Sequence, residues 1–131
     1  MTTTVYSAPS QITVVDSSIV AGALPEGLQI QIATTSGGPY SVGFVQIPLT
    51  SFTVNTSTNS AVLAFSAFVA ACAAATPPIT FAEGVDYYCQ AELYYVATPI
   101  TAISTASPES AFVIPKPTPV APATPVTFEF A

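Results

Sequence analysis

The sequence predicts a mainly β protein that folds as a single antiparallel β-sandwich, and three observations lead to this prediction. Short segments of alternating apolar and polar residues recur between turns along most of the chain. The 13 prolines and 6 glycines interrupt the chain too often for long helices. Only residues 61–75 have a composition that favours helix. The length of 131 residues is enough for one domain with a substantial core.

The first part of the chain contains a series of short segments with the patterns of strands. They are residues 11–15, 17–23, 27–34, 40–48 and 51–56. In all but the second, which is simply apolar, alternation predicts which side chains point inward. These are Ile12 and Val14, then Leu28, Ile30 and Ile32, then Tyr40, Val42 and Phe44, and finally Phe52 and Val54.

Residues 61–75 carry two patterns at once. Their alanines favour a helix, which Asn59 or Ser60 could cap and which the prolines after Thr76 would end. Val62, Phe65, Val69 and Cys72 would share one face of that helix. Alternation over parts of the segment leaves a strand open as the alternative. The segment is shorter than the roughly 20 residues that span a bilayer, so we expect no membrane insertion.

Residues 85–96 show the strongest strand pattern in the chain. One face would carry Val85, Tyr87, Cys89, Ala91, Leu93 and Tyr95, and the other Asp86, Tyr88, Gln90, Glu92 and Tyr94. Such a long two-faced segment is typical of a central sandwich strand. On the second face, Tyr88 and Tyr94 form a candidate surface platform for carbohydrate or peptide, with cross-strand packing as the alternative. A further strand is predicted at about residues 100–105.

The chain divides into an N-terminal arm (residues 1–10), a sandwich domain (11–106) and a proline-rich C-terminal arm (107–131). Prolines in the last segment favour extended backbone. Its apolar residues are candidate anchors in a neighbouring subunit: Phe112, Val113, Ile114, Val126, Phe128 and Phe130. The alternative is that this arm folds back on its own domain.

Charged side chains are scarce, and this excludes several kinds of function. The chain has one basic residue, Lys116, against 7 carboxylates, and no histidine. Without an imidazole, no general base is poised near neutral pH, so we expect no enzyme and no catalytic, cofactor or metal site. A net charge of −6 repels nucleic acid. Because only 6% of residues are charged, we expect much of the surface to be buried in a homo-oligomer or assembly.

The cysteines and the N-terminus bear on where the protein works. Cys72 and Cys89 are interpreted as buried thiols, with one disulfide left open as the alternative. Met1 is followed by three threonines, with no basic region and no apolar core of a signal peptide. We therefore expect a product of the cytoplasm that has no signal peptide.

The segment around Phe81, Gly84 and Tyr87 resembles the tyrosine corner of fibronectin type III and immunoglobulin-like sandwiches. The following Tyr88 and Cys89 are similar to the immunoglobulin strand that carries its second cysteine. The resemblance implies an immunoglobulin-like β-sandwich and does not by itself imply a function.

The overall pattern resembles viral accessory structural proteins, namely capsid decoration or cement proteins and minor capsid proteins. The matching features are the arm at residues 1–10, the arm at 107–131 and the low charge. The resemblance implies a non-enzymatic virion protein that binds a capsid lattice, with capsid or neighbouring structural subunits as partners. The alternatives are a subunit of a helical filament or tail, and a carbohydrate- or peptide-binding β-module.

Overall fold

A computed structural model describes residues 9–97, 100–102 and 107–116. The strands are β1 (Gln11–Val15), β2 (Gly27–Ala33), β3 (Gly43–Pro48), β4 (Thr53–Asn55), β5 (Ser60–Ala64), β6 (Asp86–Ala97), β7 (Ile100–Ala102) and β8 (Ser110–Val113), and the helix α1 is Phe65–Ala73. They form two antiparallel sheets around one apolar core. The prediction of a mainly β, sandwich-like protein is confirmed.

The smaller sheet has the order β1-β5-β4, and the larger sheet has the order β3-β2-β6. Beyond β6, the outer edge is shared by two short strands. Strand β8 pairs with the first part of β6, from Asp86 to Cys89, and β7 pairs near its end, from Tyr94 to Ala97. Within the part of the chain that the structure describes, strands β1 and β8 therefore both lie at sheet edges.

Strand β2 is the centre of the larger sheet, because it pairs with both β3 and β6. Its inward residues Leu28, Ile30 and Ile32 are buried, as the alternation predicts. Ile30 lies opposite Val45 of β3 on one side and Ala91 of β6 on the other. Since paired residues share a face of the sheet, β2 determines which residues of its neighbours point inward.

This pairing corrects the predicted inward face of β3. The strand begins at Gly43, and its buried side chains are Val45 and Ile47. Phe44, predicted to point inward, lies opposite Gln31 and is 58% exposed. The alternation had the right period, but its phase was one residue out of register.

Residues 17–23 form turns, so the strand predicted there is wrong. The backbone amide and hydroxyl of Ser18 both donate to the carboxylate of Asp16. The amide of Ile19 donates to the Asp16 carbonyl at 3.0 Å. These local hydrogen bonds satisfy backbone groups that a strand would pair with a neighbouring strand. The Ile19 side chain is nevertheless fully buried.

Residues 60–73 contain both of the structures predicted for this part of the chain, because strand β5 is followed directly by helix α1. Ala61 and Leu63 are buried by strand spacing, and Phe65, Phe68 and Cys72 are buried by helical spacing. The helix begins after Ala64, not after the predicted caps Asn59 or Ser60. The first helical amide, of Phe65, donates to the Ser10 carbonyl at 3.0 Å. Among the described residues, no helix has the length and apolar character needed to cross a bilayer.

The sheet extends further along the chain than the predicted domain boundary. Residues 110–113 form β8, and the Ser107 amide donates to the Ala91 carbonyl of β6 at 2.8 Å. The segment 107–116 therefore packs with the domain that was predicted to end at residue 106. Residues 1–8 and 117–131 of the two predicted arms lie outside the described residues.

Candidate functional site

Phe112, predicted to anchor in a neighbouring subunit, lies in an aromatic cluster of its own domain. Its ring stacks on Tyr87 with centroids 5.4 Å apart. It meets the rings of Phe65 and Phe81 edge-on, each at 5.1 Å. This corrects the prediction for Phe112, because its pairing with Tyr87 across β6 and β8 turns the ring toward the core.

The other predicted anchors divide between the domain and the undescribed part of the chain. Val113 and Ile114 are half-buried, and Ile114 packs against the core. The Gly84 amide donates to the Ile114 carbonyl at 2.7 Å, which ties the end of β8 to the loop before β6. Val126, Phe128 and Phe130 lie outside the described residues.

The loop that leads into β6 is fixed by Tyr87. The Tyr87 hydroxyl accepts a hydrogen bond from the Ala82 amide, 2.7 Å away and five positions upstream. Its ring meets Phe81 edge-on at 4.9 Å. Gly84, at φ +75°, turns the chain between them, a conformation that glycine adopts without steric cost.

The predicted platform of Tyr88 and Tyr94 is not displayed as a pair. Tyr88 is half-buried, whereas Tyr94 is only 4% exposed. The reason is that Tyr94 lies opposite Gly27 of β2, and its ring occupies the space a side chain would fill there. The pairing of β6 with β7 becomes irregular between Tyr94 and Ala97. Tyr95, which was predicted to point inward, is exposed.

A cleft of about 460 Å³ opens between the edge strands of the two sheets. We call it the edge cleft. Residues of β1 form one wall, residues of β6 and β8 form the other, and Phe65 and Phe68 of α1 also contribute to its lining. Ile12 and Val14, which occupy the inward positions of β1, are only half-buried. The sandwich is therefore incompletely filled along this side.

Glu109 connects the chain before β8 to the turn between β2 and β3. Its carboxylate accepts hydrogen bonds from the Ser36 hydroxyl at 2.7 Å, the Gly37 amide at 2.8 Å and the Tyr40 hydroxyl at 2.7 Å. The Tyr40 bond is the largest cause that holds the pKa of Glu109 below its ordinary value of 4.5, with Gly37 and Ser36 contributing further. No pattern in the sequence predicts a role for Glu109, although it is the only acid between Glu92 and Glu129.

The Glu109 bonds predict a loss of stability in acid. Because the pKa of Glu109 is lower in the folded state, its contribution is complete above pH 4.5 and is lost as pH falls through the folded value. Below that pH we expect the melting temperature of the wild type to fall, and that of the Glu109→Gln variant to fall less. A series of thermal melts by circular dichroism measures it.

Asp16→Asn serves as the control for that series. The pKa of Asp16 is also lowered, first through the hydrogen bond from the Ser18 side chain, so this variant removes a separate part of the acid decline. The fall of melting temperature that comes from Glu109 should remain in the Asp16→Asn variant. An unchanged acid decline in Glu109→Gln contradicts the prediction.

Cys72 and Cys89 are free thiols, as in the first of the two alternatives left open by the sequence, although only Cys72 is buried and Cys89 is half-buried. Burial raises the pKa of Cys72 to about 11 and, as the largest cause, that of Cys89 to about 12. Since the thiolate is the nucleophile, native Cys72 should react with a disulfide reagent on the order of 100-fold more slowly than an ordinary thiol. Timed labelling at pH 8 with and without urea measures this, and equal rates contradict it.

The described residues contain no group of three or more His, Cys, Asp or Glu side chains positioned to hold a metal ion. The arrangement offers exposed surfaces, the edge cleft, and a second pocket of about 440 Å³ between β3 and the end of α1. Comparison with protein-family models, with curated proteins and with solved structures finds no match for this chain.

Proposed function

We propose that this chain is a non-enzymatic structural protein of a virion, which binds and stabilises a capsid lattice as a decoration, cement or minor capsid protein. The observation that carries the proposal is a chain with only 6% charged residues, in which large apolar residues follow β8, the last strand among the described residues. Its partners are capsid or neighbouring structural subunits, including further copies of itself.

The mechanism is burial of the apolar residues after β8 in a neighbouring subunit. Phe112 and Ile114 pack with their own domain, so the anchors that remain for a partner are Val113, which is half-buried at the end of β8, and Val126, Phe128 and Phe130. Each anchor contributes about 1.5–3 kcal/mol when fully buried. Many copies on a closed shell convert such modest contacts into high avidity.

Exposed apolar side chains on the domain support an assembled protein. Val15 is 69% exposed, and Phe44 and Leu24 are also exposed. The outer face of the larger sheet carries amide pairs, with Gln90 donating to Gln31 at 2.7 Å and Gln46 to Gln29 at 3.2 Å, and the acids on the same face of β6 are Asp86 and Glu92. Surfaces of this kind lose little when a partner covers them, because few charges need to be desolvated.

The proposal includes the immunoglobulin-like plan that the tyrosine corner implies. Such sandwiches place strands A, B, E and D in one sheet and C, F and G in the other. The order β1-β5-β4 corresponds to B-E-D, and β2, β6 and β8 correspond to C, F and G, with β3 added beside C. The hydrogen bond from Ala82 to Tyr87 also supports the plan. Among the described residues strand A has no counterpart, and this leaves the edge of β1 free.

A subunit of a helical filament or tail is the second candidate. The free edge of β1 favours it, since contacts between different surfaces of identical subunits build open filaments unless they close into a ring. The carbohydrate-binding alternative required Tyr88 and Tyr94 on one exposed platform, and the burial of Tyr94 argues against it.

Sedimentation through a sucrose gradient with particles of the virus that encodes the chain tests the proposal. We expect the full-length chain to travel with the particles and the chain ending at residue 116 to stay near the top. If the full-length chain also stays at the top, the virion function is wrong. If the shortened chain travels equally well, the anchors after β8 are wrong.

A further inference from the structure

We infer that the edge cleft accepts residues 126–130 of a second copy of this chain, which add a strand to the free edge of β1. The inference rests on the proposed function, because it names the partner of the same C-terminal anchors. It assigns both halves of the contact, the donor segment and its acceptor, to one sequence.

The acceptor side has the backbone and the space that a strand requires. Among the described residues, β1 pairs only with β5, so its second edge presents unpaired backbone amides and carbonyls. The edge cleft runs beside it, with a volume of about 460 Å³ that lies within the range of known ligand sites. Free edge and adjoining cleft are the two requirements for recognition by strand addition, in which the backbone gives affinity and alternate side chains fill pockets.

The side chains along the edge cleft indicate an apolar occupant. Ile12 and Val14 remain half-buried although they face the interior. Opposite them, the wall includes the small side chains of Ala91, Ser110 and Ala111. Large apolar side chains inserted between these two walls would complete the burial of both.

Residues 126–130, Val-Thr-Phe-Glu-Phe, match this acceptor in pattern and length. Val126, Phe128 and Phe130 alternate with polar residues, so as a strand they present one wholly apolar face. The five residues span about 17 Å as a strand, the same length as the five residues of β1. Residues 1–8, the rival occupant, contain no comparable alternation of large apolar residues.

The segment between the domain and the anchors favours a second copy over the same one. Residues 117–125 contain four prolines in nine positions: Pro117, Pro119, Pro122 and Pro125. Such a composition favours extended, semi-rigid backbone, about 28 Å for nine residues. An extended spacer of this length would place the anchors within reach of a neighbouring copy.

Complementation between two defective copies tests the inference. Val14→Glu places a charge in the edge cleft and leaves residues 126–130 intact. Phe128→Glu with Phe130→Glu spoils the donor and leaves the cleft intact. We expect the wild type to associate in sedimentation velocity, each variant alone to remain monomeric, and an equimolar mixture to form one-to-one dimers and nothing larger.

Each variant has a matched control at a position that does not face the contact. Thr53→Glu introduces the same charge at an exposed position of β4, which does not line the edge cleft. Thr127→Glu does the same on the donor segment, between Val126 and Phe128. Both controls should associate as the wild type does. Should Val14→Glu fail a folding check by thermal melting, Ala91→Phe fills the cleft with an apolar ring and should abolish association without loss of melting temperature.

Two results overturn the inference: a wild type that stays monomeric at high concentration, or a mixture that does not form the dimer. Loss of association on deletion of residues 1–8, with the donor variant unaffected, also overturns it and assigns the cleft to the N-terminal segment. The particle experiment separates this inference from the proposed function. Complementation without binding to particles supports the contact between copies and rejects the virion function.

Discussion

A chain that ends at residue 106 should fail to maintain the folded sandwich, whereas a chain that ends at residue 116 should melt close to the full-length protein. The difference lies in β8, whose backbone pairs with β6 from Asp86 to Cys89. Its Phe112 ring contacts the rings of Phe65, Phe81 and Tyr87 at centroid distances of 5.1–5.4 Å. Removal of the strand therefore opens the aromatic part of the core.

The expected magnitude follows from one side chain. Phe112→Ala alone should lower the free energy of unfolding by about 3 kcal/mol, near the low end for a phenylalanine because the ring is only half-buried. Loss of the whole strand adds its backbone hydrogen bonds, against a total stability of about 5–15 kcal/mol for a domain. Urea denaturation of the three lengths and of Phe112→Ala measures the differences. Equal midpoints for the chains ending at residues 106 and 116 contradict the prediction.

The strands that the sequence predicts well are those with an internal pattern long enough to define both period and phase. Strand β2 has three buried aliphatic residues at alternate positions, and its place and inward face agree with the structure. For β3, the pattern defined the period alone. Its phase depends on pairing with β2, which brings Val45 opposite Ile30, and that contact is made between positions distant in sequence.

The division of the proline-rich segment could not be predicted from composition. Phe112 and Phe128 stand in similar surroundings, because each follows a proline by three or four positions and has another apolar residue within two positions. Phe112 packs in the domain because β8 reaches the edge of β6 that β2 leaves free. That edge exists only once the sheet has formed, so no local property of the sequence marks which phenylalanine will occupy it.

From the sequence, only the donor segment of the candidate site could be predicted, and not the cleft that would accept it. The anchors after β8 are visible as apolar residues in a proline-rich segment, whereas the edge cleft depends on the lateral order of strands in two sheets. Glu109 illustrates the same limit. Its three donors come from the turn at residues 36–40, some seventy positions earlier, and local sequence gives no indication of them.

Gly27→Ala adds a single methyl group to β2, and we expect it to lower the free energy of unfolding more than any other change of that size in the strand. A Cβ at this position would lie 2.7 Å from the backbone carbonyl oxygen of Ile47 and 2.7 Å from Cζ of Tyr94. The Tyr94 ring can move, but the Ile47 carbonyl belongs to the β3 ladder, which pairs Gly27 with Pro48. Overpacking of this kind costs about 1–3 kcal/mol of the free energy of unfolding.

Tyr94→Ala, alone and combined with Gly27→Ala, separates the clash with the Tyr94 ring from the clash with the Ile47 backbone. Tyr94→Ala in the Gly27→Ala chain removes the clash with the ring and leaves the one with Ile47, so the double variant should be less unstable than the sum of the two single ones. Gln29→Ala, the nearest residue of β2 on the same, outward face, should change stability by less than about 0.5 kcal/mol and serves as the control. Urea denaturation of the wild type, the two single variants, the double variant and Gln29→Ala measures the differences. Strict additivity means that Tyr94 does not pack over Gly27, and it would remove the reason given for the burial of that tyrosine.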